Sequence, residues 1–148
     1  MKGTDSKEII IGNLTQIEDT GEWKTYELNN KLKIFNKSPA GEQPLQVTIY
    51  KNYILSENMV RINNHIKWLA GGFKNDLIDF YNSQNNGNKA DDNWYNVLEI
   101  YCVSIRIEKD GKITSYIDCG DNVYKTDDIY IFSVDTEDEK IMELNYFG

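Results

Sequence analysis

A chain of 148 residues that is 40% hydrophobic and 12% aromatic has the composition of one folded domain, since aromatic side chains bury large areas and disordered chains carry few of them. Its 24 acidic and 16 basic residues leave a net charge of −8, which removes the electrostatic basis for non-specific nucleic-acid binding and for docking on anionic membranes. The apolar run at residues 9–11 is far shorter than the roughly 7–15 residues of a secretory signal, and no stretch approaches the roughly 20 of a membrane span. The expectation is a cytoplasmic protein, or one exported without a cleavable signal.

The first third predicts β structure. Ile9, Ile11, Leu14 and Ile17 suggest a strand interrupted near Gly12. Trp23, Tyr26 and Leu28 mark another, ending at Asn29-Asn30, residues that tolerate left-handed turn geometry. Leu32, Ile34 and Asn36 alternate with Lys31, Lys33 and Phe35 in a further arm. Residues 37–44 carry Ser, Pro and Gly loop signals, after which Leu45, Val47 and Ile49 alternate with Gln46, Thr48 and Tyr50 as a half-buried strand.

The middle third predicts a helix. Ser56 can serve as N-cap, its hydroxyl accepting from an amide of the first turn. Met59, Ile62, Ile66, Leu69, Phe73, Leu77 and Phe80 recur at steps of three or four, one face of a helix. Gly71-Gly72 interrupts the pattern at about 1 kcal/mol per glycine relative to alanine, yet the apolar phase continues. One continuous or kinked helix is therefore expected, closed by a polar loop at residues 83–93.

The last third returns to β. Tyr101, Val103, Ile105 and Ile107 alternate with Cys102, Ser104 and Arg106; a turn at Lys109-Asp110-Gly111 leads to a strand at 112–118. An acidic loop (119–128) precedes a strand in which Ile129, Ile131 and Ser133 alternate with Tyr130, Phe132 and Val134. An acidic turn at 135–139 leads to the final strand at 140–147. This order predicts a single α+β domain over residues 1–148, an antiparallel sheet of about seven or eight strands packed on one long helix.

Cys102 and Cys119 flank the 109–111 turn, so hairpin register decides whether they meet. A two-residue loop would set them opposite each other and split the isoleucines between faces. A three-residue loop with Gly111 left-handed pairs Ile107 with Ile113, Val103 with Ile117 and Cys102 with Asp118, keeping the isoleucines on one face. The three-residue loop is expected, with both cysteines free.

Catalytic and metal-binding signals are absent from the sequence. The single histidine, His65, stands among Asn63, Asn64 and Lys67 and reads as a surface or boundary residue. One histidine and two distant cysteines cannot supply the four ligands of a structural zinc site. No P-loop or glycine fingerprint joins a strand to a helix, and no cofactor is expected. Carboxylates remain. Asp118, Asp121, Asp127 and Asp128 crowd into one segment and Asp135, Glu137, Asp138 and Glu139 into another, without calcium-loop spacing. They are either solvated turns, a partner-binding surface, or paired acids of the kind that hydrolyse glycosidic bonds. Trp23, Trp68 and Trp94 are core residues or, near acids, interface anchors.

Three segments carry a resemblance. Residues 11–28 (IGNLTQIEDTGEWKTYEL), 77–84 (LIDFYNSQ) and 116–148 (YIDCGDNVYKTDDIYIFSVDTEDEKIMELNYFG) resemble an uncharacterised bacterial family of small domains of unknown function, some of whose genomic neighbours are immunity-like. Where members of that family often have a Gly-His pair, this chain has Asp127-Asp128. The resemblance implies a non-enzymatic, immunity-like protein that neutralises a basic toxin or other basic protein. Asp118, Asp121, Tyr124, Asp127 and Asp128 are the candidate contact residues. The alternatives are a hydrolase built on paired carboxylates and a structural domain that self-associates through an exposed edge strand.

Overall fold

The computed structural model describes residues 11–28, 45–84, 89–121 and 130–146. Within them a short 3₁₀ turn (Ile11–Asn13) leads into β1 (Leu14–Asp19), β2 (Trp23–Leu28) and β3 (Leu45–Tyr50). Helices α1 (Leu55–Ala70), α2 (Phe73–Gln84) and α3 (Asp92–Val97) follow, and then β4 (Glu99–Ile107), β5 (Ile113–Asp121), β6 (Tyr130–Glu137) and β7 (Lys140–Tyr146). The strands form one seven-stranded sheet in sequence order, β1 to β7. The protein is thus α+β, as its element order predicts. The arm at 31–36 and the loop at 37–44 lie outside the described residues.

All neighbouring strands are antiparallel except β3 and β4, which run parallel with Val47 opposite Ile105. The sheet is thus mostly antiparallel, as expected, with this one parallel pair. A chain that leaves β3, builds three helices and returns has the length a parallel crossover requires, whereas the short turns between β1 and β2, β4 and β5, and β6 and β7 allow antiparallel pairing alone.

The helical stripe is buried largely as the sequence spacing predicts, with Ile62, Ile66 and Leu69 of α1 and Phe73 and Leu77 of α2 at 0–1% exposure. They pack on Val47, Ile105, Ile107, Ile117 and Val134 from the strands, so the helices cover one face of the sheet. Two details differ from the sequence reading. The helix is not continuous: α1 ends at Ala70, where the Gly71 amide donates to Lys67 and Trp68 carbonyls, and α2 starts at Phe73. Two adjacent poor helix formers outweigh the continuing apolar phase. Ser56 is not the N-cap; α1 begins after Ile54, which makes no side-chain cap bond, and Ser56 lies within the first turn.

Part of the predicted polar loop is helix α3. Asp91 caps it by accepting from the Trp94 amide at 2.9 Å. The cap delivers Trp94 into the core, 4.5 Å from the Tyr81 ring and stacked at 6.3 Å on Phe132. Asn82 ties this connection to α2, its amide both donating to the Ala90 carbonyl (3.1 Å) and accepting from the Ala90 amide (2.6 Å). Asp91→Ala is expected to lower stability by about 1 kcal/mol, the usual value of an N-cap, measured by urea unfolding. An unchanged midpoint would mean that Trp94 burial alone holds α3.

The β4–β5 hairpin has the register expected from its isoleucines: Ile107 pairs with Ile113, Val103 with Ile117 and Cys102 with Asp118. Gly111 takes φ +87°, a conformation that glycine adopts without steric cost. Cys119 is buried on the helix side, Cys102 lies on the opposite face, and no disulfide joins them. The β6–β7 turn is tighter than the predicted acidic turn. Asp135 and Glu137 belong to β6, leaving Asp138 and Glu139 as the two central residues at φ +49° and +58°. That geometry normally selects asparagine or glycine.

Candidate functional site on the open sheet face

Alternation along the strands places every second side chain on the face away from the helices. Register then sorts these side chains into rows across the sheet. One row runs Thr25, Thr48, Arg106, Thr114, Glu137, Lys140; the next Glu27, Gln46, Ser104, Tyr116, Asp135, Glu143; the third Cys102, Asp118, Ser133, Asn145. No described helix packs on this face.

The charges of the first row are matched locally. The Arg106 guanidinium sits 4.3 Å from the Trp23 ring centre, with its Nε 3.2 Å from Glu108 in an ion pair too poorly aligned to count as a hydrogen bond. Trp23 meets Tyr50 edge-on at 5.1 Å, and Lys112 donates to Glu137 at 3.2 Å.

The other two rows concentrate acid over β5, β6 and β7. Asp135 and Glu143 are directly opposite across the β6–β7 pair, a spacing of about 5 Å at which like charges destabilise a sheet. Burial, and next the Glu143 carboxylate, push the Asp135 pKa above its ordinary value; a 3.2 Å hydrogen bond from Asn145 works in the other direction. Asp118, one strand and one row away, accepts from Cys102 Sγ at 3.0 Å. Ser133 is wholly buried, with a hydroxyl that has no aligned partner, although the Tyr116 phenol is close enough to interact with both Ser133 and Asp118.

Apolar surface borders these acids. Tyr116 is 37% and Met142 55% exposed. Tyr101 sits at the β4 bulge with its ring lying over Gly120, so close that a Cβ there would meet the phenol. A depression of about 590 Å³ between Ser104, Arg106, Tyr116, Asp135, Glu137 and Met142 marks the centre of the face.

Of the residues nominated from the sequence, Asp118 is on this face. Asp121 ends β5, where its backbone pairs with Tyr130, and Tyr124, Asp127 and Asp128 lie outside the described residues. The sequence pattern places Asp135 in the acidic turn at 135–139, and Glu143 is not among the candidates it offers. The signal available was the alternation of Phe132, Val134 and Thr136, which sets Asp135 outward.

Burial and hydrogen bonding at Cys102 push its thiol up to about 11, with desolvation the largest cause and the Asp118 carboxylate next. Its alkylation at pH 8 is expected to run about a hundredfold slower than that of an ordinary thiol, because only the thiolate reacts. Denatured, unreduced protein should titrate two sulfhydryls; finding none would establish a disulfide.

The helix-side face holds a second polar assembly, centred on His65, which its polar sequence neighbours mark as a surface or boundary residue. His65 is completely buried. Its Nδ1 lies 2.7 Å from Glu139 Oε2, its Nε2 2.9 Å from Ser115 Oγ, and Ser115 in turn bonds Thr136. With Glu139 ionised, Nδ1 must donate, so the neutral ring accepts the Ser115 proton at Nε2 and Ser115 accepts from Thr136. One proton arrangement satisfies every atom of this chain. The order carboxylate, imidazole, hydroxyl is that of a serine hydrolase triad. Here, however, Ser115 is 4% exposed and its oxygen faces His65 and Thr136 rather than a substrate. The missed signal was positional: 65 is three residues after Ile62 and four before Leu69, on the buried stripe.

Fold and site together define a two-layer α+β domain whose seven-stranded sheet is covered by helices on one side and presents a polar, acid-rich face on the other. The chain matches no protein-family model, no curated protein and no solved structure. Among the described residues no helix is long and apolar enough to cross a membrane, and no three His, Cys, Asp or Glu side chains converge as a metal site requires.

Proposed function

We propose that this protein is a non-enzymatic binding module that captures a basic protein, in the manner of an immunity protein occluding a toxin, with the β5–β7 part of the open sheet face as its contact surface. The observation that carries this function is the placement of Asp135 and Glu143 opposite each other on an exposed face, an arrangement that works against the free protein and is relieved by a cation from a partner. Asp118 extends the negative patch. Tyr116, Tyr101 and Met142 supply the apolar and aromatic contact area that anchors an interface. The net charge of −8 steers a basic partner toward the chain.

The test is capture from the producing organism by the immobilised chain and by its D118N/D135N/E143Q variant, in low and high salt. A basic protein held by the parent chain and lost by the variant is expected. Equal retention of the same protein by both would sink the assignment.

A hydrolase of paired carboxylates draws some support from Asp135, which lines the central depression with a raised pKa. Glycoside hydrolysis, however, needs two carboxyls flanking the scissile bond from different sides. Asp135 and Glu143 project side by side from one sheet face, which suits them to holding a cation rather than to dividing acid and base roles.

A further inference from the structure

The buried chain on the helix side has a consequence separate from the binding face. We propose that Thr136, Ser115, His65 and Glu139 form an acid-released latch, in which proton uptake by His65 leaves a hydroxyl proton of the chain without an acceptor and frees the β6–β7 turn from helix α1. The geometry supplies three reasons. The latch joins elements far apart in sequence: His65 on α1, Ser115 on β5, Thr136 on β6 and Glu139 in the turn. It holds a turn whose two central residues, Asp138 and Glu139, are non-glycine at φ +49° and +58°, so the turn needs tertiary contacts to keep that shape. And each of its hydroxyl protons has an acceptor within the chain only while the imidazole is neutral.

Protonation occurs at Nε2, the ring nitrogen that accepts from Ser115. Nε2 must then donate to Ser115, and whether Ser115 keeps accepting from Thr136 or turns its own proton toward it, one hydroxyl proton of the pair is left without an acceptor in a site where Ser115 and Thr136 are 4% and 3% exposed. The new charge also sits on a completely buried ring. Burial is the largest influence on His65 and lowers its pKa, opposed by the hydrogen bond and charge of Glu139 and by the charge of Asp138. Around the ring, α1 contributes the Trp68 indole at 5.4 Å, and β5 and β6 contribute the Ser115 and Thr136 hydroxyls. Asp76 and Asp79 of α2 and Lys140 of β7 line the groove in which Glu139 lies. The route by which the imidazolium reaches water is local opening at Glu139, which is 37% exposed on its side chain. Asp138 stays tied to Ile113 through backbone and side chain, and Lys112 to Glu137, so the movement is confined to Glu139 and the start of β7. Thr136 adjoins Asp135 at the β6–β7 bulge, which links the latch to the strands that carry the acidic face.

The experiment is amide hydrogen exchange of the full chain between about pH 5 and 8, corrected for the intrinsic pH dependence of exchange, with the His65 imidazole followed by NMR in the same samples. Protection of the amides from residues 139–141 is expected to fall at least tenfold as the ring takes its proton, while the Asp138 amide and those of β4–β5 hold theirs. H65Q should show no such step. E139Q, which keeps an acceptor for Nδ1 but no charge to offset the imidazolium, should show the step at lower pH. The latch is overturned if the imidazole titrates with the turn amides unchanged, or if the ring stays neutral until the whole domain unfolds. A step that persists in H65Q, or one that E139Q leaves in place, overturns it too.

Discussion

His65→Ala is expected to destabilise the domain by about 3–5 kcal/mol, the largest effect of any polar substitution in the described structure. Two contributions add. The side chain is completely buried, so its removal leaves a cavity beneath α1 that close-packed neighbours fill only in part. It also takes a partner from Ser115 and from Glu139, and a buried polar group that loses its partner costs about 1–3 kcal/mol. Unfolding in urea measures the loss, and His65→Gln separates the contributions by restoring much of the volume. The pH dependence follows from the direction of the shift. The unfolded chain binds a proton at His65 near its ordinary 6.5, whereas the folded chain, whose pKa is lowered by burial, binds it only at more acid pH. Between those two values the unfolded state holds more protons, so stability falls as pH drops. The contribution is complete above about 6.5 and declines through the mildly acid range. That decline should be missing from the unfolding free energy of the alanine and glutamine variants. A variant that keeps the wild-type slope would show that another group is responsible.

Neutralising the acidic face should separate function from stability. For D118N/D135N/E143Q, association with a captured basic partner is expected to slow by about 10–100-fold at low ionic strength, since charge acts mainly on encounter. Above roughly 0.5 M salt, where the screening length falls below about 5 Å, the rates of parent and variant should converge. The fold should not suffer. Asp135 has a folded pKa above its unfolded value, so its ionised form is a burden on the native state, present at neutral pH and lifted as pH falls through the folded pKa. Removing the Asp135 and Glu143 charges lifts that burden at every pH. Thermal unfolding at pH 7 should therefore be unchanged or slightly raised, while stopped-flow association collapses. A variant that unfolds early, or that associates as fast as the parent, contradicts the proposed surface.

These two expectations concern opposite faces of the same strands, and the sequence was informative about only one of them. Period-two alternation in β3, β4 and β5 and the three-to-four spacing from Ile62 to Leu77 mark the apolar layer directly, because burial selects side chains by hydrophobicity. The hairpin register was equally legible, since the three-residue loop, unlike the two-residue one, keeps Ile105, Ile107, Ile113 and Ile117 on a common face. Where propensity and pattern disagreed, at Gly71-Gly72, the pattern was the weaker guide. A two-residue turn lets both helices bury the same stripe without a continuous backbone.

The sequence by itself determined the α+β class, the identity of most core residues, the unbridged state of the cysteines and the acidity. Only the tertiary structure decided where that acidity acts. Asp118, Asp135 and Glu143 are far apart along the chain and become neighbours through strand register, a relation that composition does not carry. The same holds for His65. Its local neighbours are polar, and what buries it is the packing of α1 on β5 and the β6–β7 turn, which supply Ser115, Thr136 and Glu139. Burying apolar surface depends on each residue and its period along the chain; satisfying a buried polar atom depends on partners brought together by the fold.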